Sequence, residues 1–177
     1  MKTTQFHILS FEGPDGYARA GGIASRITGL SQALATQGHE THLWFVGDPG
    51  LPGHERHDPL TLHRSCQWIS RHHPGGVYDG EDAKCRDYAA SLPPFLMENE
   101  LEPLLASGGH AVVLAEEWHT APAVLHLDGL LRKAGLRERV TLLWNANNTF
   151  GFDRIAWSRL NEAATIVTVS RYMKQRM

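Results

Sequence analysis

The sequence predicts an α/β protein: a Rossmann-like, doubly wound, mainly parallel sheet with helices on both faces. Three observations predict it. Short apolar runs (HILSF, THLWFV, AVVLA, VTLLW and TIVTV) alternate with segments whose apolar residues recur at helical spacing. That alternation calls for parallel strands joined by right-handed crossovers. The runs are nearly continuously apolar, as in strands covered on both faces. The first run opens into a glycine-containing loop that feeds a helix, at the strand edge where such sheets bind ligands.

Phe6–Phe11 reads as the first strand. Ile23, Ile27, Leu30 and Leu34 then recur on one face of a helix, which Gly38 closes in a left-handed cap. Thr41–Val46 is a second strand, ended by the turn residues GDPGLPG. Between His54 and Gly80 the pattern is weak. Leu60–Leu62 fits a short strand and Ser65–Arg71 a short helix, while GHERHDP, flanked by Gly and Pro, reads as surface loop. Asp82–Ala106 is helical in pattern, and Pro93–Pro94 calls for two helices or one sharp kink. Ala111–Ala115 is a buried-type strand. Thr120–Ala134 follows as a helix capped by Thr120, with Pro122 in its first turn and Val124, Leu127, Leu130 and Leu131 facing inward. Val140–Trp144 is a strand, Asp153–Ala163 a helix and Thr165–Val169 a strand, after which Ser170 caps a last helix.

At 177 residues the chain has the length of about one domain. Its net charge is −2, with both signs spread along the chain, so nucleic acid is not an expected partner. Cys66 and Cys85 are too few for a disulfide framework and read as free thiols of a reducing compartment. The N-terminus has no signal-peptide pattern, and no apolar run approaches membrane-spanning length. A cytoplasmic protein without a transmembrane segment is the expectation.

The loop EGPDGYARAGG carries the first chemistry. Gly21 and Gly22 let a ligand approach the main chain, and the helix start offers unpaired N–H groups and partial positive charge. Phosphate or diphosphate contact is the reading. The dinucleotide pattern G-x-G-x-x-G and the Walker loop are both absent. Glu116-Glu117-Trp118-His119 directly follows the strand AVVLA, on the same edge, where a neutral His119 would bond a hydroxyl or a phosphate oxygen. Asn145 and Asn147 follow the next strand, and their amides suit sugar hydroxyls. The eleven histidines show neither Cys–His nor H-E-x-x-H spacing, so no metal site is expected. No G-x-S-x-G elbow is present.

In this order, the segments resemble the N-terminal half of glycogen and starch synthases and related family-four retaining glycosyltransferases. Arg19-Ala20-Gly21-Gly22 stands where the synthases have K-x-G-G. QGHE is similar to their run into the second strand, AEEWHTAP to their D-W-H segment, and TVSRY to the end of their N-terminal domain. Arg19 for Lys, Glu117 for Asp and Trp144 for a His depart from the synthase pattern and favour a broader member of the family.

The resemblance implies a GT-B fold, of which residues 1–177 are the N-terminal, acceptor-side domain, with the C-terminal donor-binding domain outside this chain. It implies transfer of a hexosyl group from a nucleotide-sugar (a UDP-, ADP- or GDP-hexose) to a hydroxyl of a glycan, lipid or small-molecule acceptor. No cofactor and no metal are implied. His119 would be the catalytic residue, Arg19, Gly21 and Gly22 the donor diphosphate contacts, and Glu117, Asn145 and Asn147 substrate contacts. The isolated domain would be inactive. A non-catalytic nucleotide- or glycan-binding module, or a protein-interaction domain using the same cleft face, remains the alternative.

Overall fold

The computed structural model describes residues 3–176. Its strands are β1 (Thr4–Leu9), β2 (Glu40–Val46), β3 (His54–His57), β4 (Leu60–Ser65), β5 (His110–Glu116), β6 (Val140–Ala146) and β7 (Thr165–Thr168). They form one sheet in the order β3-β4-β2-β1-β5-β6-β7. Every pairing is parallel except β3 with β4. From β1 the chain builds outward to β2 and β4, then returns to the other side of β1 at β5. The switch point therefore lies between β1 and β5, where a crevice opens at the strands' carboxyl ends.

Alternation along the strands sorts the core. Ile8, Leu43 and Phe45 face helix α1 (Gly22–Thr36) and pack with Ile27. Leu9, Trp44, Val46, Val113 and Trp144 face the other way. There they meet α3 (Glu81–Leu96) and α5 (Glu117–Lys133) through Tyr88, Leu92, Val124 and Leu127. Helices thus cover both faces, but unevenly. Val112, Leu114 and Leu143, on the face opposite α5, are only half-buried. Short helices complete the chain: α2 (Gln67–Ser70), α4 (Glu102–Ala106), α6 (Trp157–Ala163) and α7 (Arg171–Arg176). Gly38 has a φ of +83°, the left-handed cap its place in the sequence calls for. The Met173 amide donates to Ser170 Oγ at 3.2 Å, the cap expected for α7.

Three local expectations are corrected. HERH is not loop but the antiparallel edge strand β3, with its charges engaged: Arg56 pairs with Glu40 and Asp58, and Glu55 with Arg64. A short charged edge of this kind resists pairing with other chains. Pro93 and Pro94 do not break their helix, which runs on through a π-helical turn, Met97–Leu101, into α4. Proline lacks the N–H that would bond the carbonyl four residues back. Here the Ala89 carbonyl freed by Pro93 accepts Nδ1–H of His126 from α5 at 2.8 Å. Thr120 is no cap. Helix α5 starts at Glu117, and the Thr120 hydroxyl donates back to the Glu116 and Glu117 carbonyls within the first turn.

Candidate functional site

A groove of about 740 Å³ opens at the carboxyl rim, in the β1/β5 crevice. Its walls come from the loop after β1 and the start of α1 (Glu12, Gly22, Ile23, Arg26), from Tyr78 and Glu81, from the start of α5 (Glu117, Trp118, His119), and from the segment after β6 (Asn147, Asn148, Phe150, Gly151, Asp153, Arg154). The glycine loop, EEWH and the Asn-rich segment therefore meet along one rim, as read from the sequence.

The helix start is not bare. Glu12, buried at the end of the β1 run, folds back so that one carboxylate oxygen accepts the amides of Gly21 at 2.9 Å and Ala24 at 3.0 Å. The Tyr78 hydroxyl donates to its other oxygen at 2.7 Å. An internal carboxylate thus fills the part of the helix N-terminus where an anion would sit. Gly22 still lines the groove, and a Cβ built on it would meet nothing within 4 Å. Arg19 lies off the groove, exposed, donating to the Pro14 carbonyl at 3.0 Å. The guanidinium groups at the groove are those of Arg26, 3.3 Å from Glu116, and Arg154, 4.7 Å from the Trp118 ring centre.

Glu116 and Glu117 divide their work. Glu116 is fully buried, and its Oε2 accepts the amides of Asn145 at 2.8 Å and of Asn147 at 2.5 Å. Asn145 is itself buried and its amide is spent on Glu116 and Asn147, so it supports the site from beneath instead of lining it. Asn147 reaches the groove wall. Glu117 has a φ of +66°, rare for a residue with a Cβ. Trp144 Nε1 donates to its carbonyl at 2.9 Å, and Asn148 Nδ2 to its carboxylate. Burial, reinforced by the nearby charges of Glu12 and Glu116, pushes the Glu117 carboxyl up to about 7.

His119 stacks on Phe11, with ring centres 4.3 Å apart, and on Trp118 at 3.9 Å. Burial lowers its pKa below the usual imidazole range, against the opposing pull of Glu81, so the ring is neutral at pH 7. Nε2–H then donates to Glu81 Oε1 at 2.8 Å, which leaves Nδ1 as a lone-pair acceptor. An acceptor nitrogen takes a hydroxyl proton and not a phosphate oxygen. Of the two ligands that the sequence allows for His119, the hydroxyl is the one that fits this tautomer.

Sequence reasoning missed Glu12, Arg26, Tyr78, Glu81 and Arg154. Glu12 was legible in principle, as an acid just ahead of a glycine-rich helix start. Nothing local marks Tyr78 or Glu81, which reach the rim only through the return of the chain from a distant segment, while Arg154 lies further along the segment after β6.

No family model matches the chain, and no curated protein does. Among solved structures it is similar to the catalytic domain of starch synthase IV from Arabidopsis thaliana bound to ADP and acarbose, with a TM-score of 0.56 and 15% sequence identity. The match covers 84% of this chain and 34% of that one, so the chain spans about a third of that structure's length. At this identity the likeness carries the fold: a Rossmann-like α/β unit of the kind found in a GT-B-like architecture. Among the described residues no helix is long and apolar enough to cross a membrane.

Proposed function

We propose that this chain is the acceptor-side half of a retaining glycosyltransferase, acting with a second α/β half that binds most of a nucleotide-sugar donor. The single observation that carries this reading is the groove at the β1/β5 switch point. It joins a neutral His119 acceptor nitrogen, buried carboxylates and the aromatic rings of Trp118 and Tyr78. Aromatic faces and acceptor atoms are what a hydroxyl-rich sugar needs, because its hydroxyls donate and its C–H faces stack. The fold likeness to a starch synthase catalytic domain that holds ADP and acarbose supports the same class.

The groove presents Glu12, Glu81, Glu117 and Asp153 against Arg26 and Arg154. That excess of carboxylates favours a hydroxylated acceptor over a free phosphate on this half of the enzyme. In the assembled enzyme, charge growing on the departing diphosphate would be met by the Gly22 amide and Arg26. His119 would hold a sugar hydroxyl and orient the reacting carbon, with Asn147 beside it and Glu117 able to give or take a proton near neutral pH. Arg19, Gly21 and Asn145 shape the loop and the floor without touching substrate. A hexose donor on a UDP, ADP or GDP carrier and a cytoplasmic setting belong to the same proposal.

The test is titration of the protein with oligosaccharides and with nucleotide-sugars, read by tryptophan fluorescence and by the NMR shifts of the His119 ring. Saccharide binding that is lost in His119→Ala supports the reading. Absence of any groove response to either ligand class overturns it. Tight nucleotide binding by this chain alone, with no saccharide response, favours the non-catalytic binding module.

A further inference from the structure

Away from the groove, four sheet strands and one helical turn assemble a second cluster of potential ligands. His42 on β2 and His63 on β4 lie on the face that turns toward α3, both buried. Nδ1 of His42 is 2.9 Å from Nε2 of His63, whose Nδ1 is 2.9 Å from Nδ1 of His54. His7 stacks on His42 with ring centres 4.7 Å apart, and Trp44 on His63 at 3.6 Å. The π-helical turn, Met97–Leu101, brings Glu100 over this stack, 3.6 Å from Nε2 of His42, and Glu40 approaches the same nitrogen at 3.7 Å. Such π turns recur at functional sites.

Proton accounting leaves Nε2 of His42 without a partner, as it does Nε2 of His7 on the neighbouring strand. A neutral imidazole carries a single N–H. If the proton shared by His42 and His63 sits on His42, then Nε2 of His42 is a lone pair facing two carboxylates. If it sits on His63, Nε2 of His42 is a buried N–H with no acceptor in reach. In either state the atom is buried and unpartnered. Separations of 3.6 and 3.7 Å are too long for a good hydrogen bond. They are close to the roughly 3.4 Å that separates two ligand atoms sharing one tetrahedral ion at bond lengths of about 2.1 Å.

We propose that His42, His63 and Glu100, joined by Glu40, form a site for a divalent transition ion of the zinc type, with Nε2 of His63 giving up its contact with the His42 ring to the ion while Nδ1 keeps His54. Their ligand atoms in His42, His63 and Glu100 lie within 4.8 Å of one another. Two imidazoles with carboxylates are a donor set that suits zinc. The carboxylates are partly exposed and give the ion its way in. Arg56 and the ion share Glu40, whose other contact is that guanidinium. Glu40 opens β2, so the site belongs to the amino-terminal half of the sheet, apart from the groove at the carboxyl rim.

Equilibrium dialysis of the protein against Zn²⁺ alone, with the bound metal counted, tests this directly. Cobalt substitution, read as the visible spectrum of a four-coordinate nitrogen and oxygen site, reports the ligands. One equivalent of zinc is expected. Glu100→Gln and His63→Gln should each weaken it at least as much as the roughly 10–100-fold cost of losing an outer-shell partner. Glu100 is partly exposed, so its substitution leaves the fold intact even if His63→Gln does not. His119→Ala must bind zinc as the unaltered protein does, whatever becomes of its saccharide binding. Failure to retain zinc, or retention unchanged in Glu100→Gln, overturns the site, as does loss of zinc in His119→Ala, which would put the ion in the groove.

Discussion

Nε2 of His119 lies 2.8 Å from Oε1 of Glu81, and this one contact fixes which ligand atom the groove can take. Glu81 opens α3 and His119 sits in the first turn of α5, so the pair also ties the two helices together at the rim. With its N–H held by Glu81, the imidazole offers only a lone pair. Glu81→Ala leaves a buried donor unsatisfied, at a cost of about 1–3 kcal/mol in stability. It also removes the main influence that raises the His119 pKa against burial. The His119 pKa should therefore fall further in Glu81→Ala, as followed by NMR titration of the ring. An unchanged titration would break the pairing of these two residues.

Glu117 makes folding sensitive to pH near neutrality. Its carboxyl is raised by burial first and by Glu12 and Glu116 second, from 4.5 to about 7. The folded state therefore favours the protonated acid. This contribution to stability is fully present below the ordinary carboxyl value and is lost as pH rises through about 7. Glu117→Gln mimics the protonated form and still accepts from Asn148. It should be more stable than the unaltered protein at pH 8, by up to roughly 3 kcal/mol, and equal to it near pH 4.5. Urea denaturation at both values measures the difference. Equal stability at pH 8 would remove the argument that this carboxyl is poised near neutral pH.

The long helix through Pro93 and Pro94 rests on a side chain from its neighbour. His126→Phe keeps the bulk of the ring but leaves the Ala89 carbonyl without its donor. A loss of about 1–3 kcal/mol is expected. In a Pro93→Ala background the backbone N–H is restored and can take that carbonyl, so the same substitution should cost measurably less. The double-mutant cycle isolates the coupling. Additive losses would mean that His126 does not compensate for the proline.

Periodicity made most of the sheet legible, because each of β1, β2, β5, β6 and β7 is an apolar run bounded by turn residues. Strand β3 was not, since His54–His57 has no apolar face and pairs only at an edge. Pro93–Pro94 misled for a related reason: the donor that rescues Ala89 lies on another helix, 37 residues away. At the site, the rim was legible and the individual contacts were not. Strand ends identify Glu117, His119 and Asn147 as rim residues. Whether a side chain faces the groove or the floor depends on tertiary partners. That is why Asn145 turns to Glu116, and why Arg26 lines the groove while Arg19 turns to the Pro14 carbonyl. The histidine cluster has no sequence signature at all, since its members come from separate strands and a π turn.

Two glycines of the same loop should respond to substitution in opposite ways. A Cβ at Gly13 would come within 2.1 Å of the Phe45 ring, which is fully buried between β2 and α1. The ring cannot yield without repacking, so Gly13→Ala should destabilise by about 1–3 kcal/mol or more, as overpacked cores do. A side chain at Gly22 meets open space beside the groove. Gly22→Val should therefore leave the fold intact, since valine is no worse a helix former than glycine. It should nonetheless fill the approach to the α1 amides and weaken ligand binding strongly, with a matching loss of turnover in the two-domain enzyme. Thermal unfolding and saccharide or nucleotide-sugar titration of the two variants separate these effects. Normal ligand binding by folded Gly22→Val would mean that the ligand does not approach the helix start, and the diphosphate part of the proposal would fall while the Glu12 cap stood.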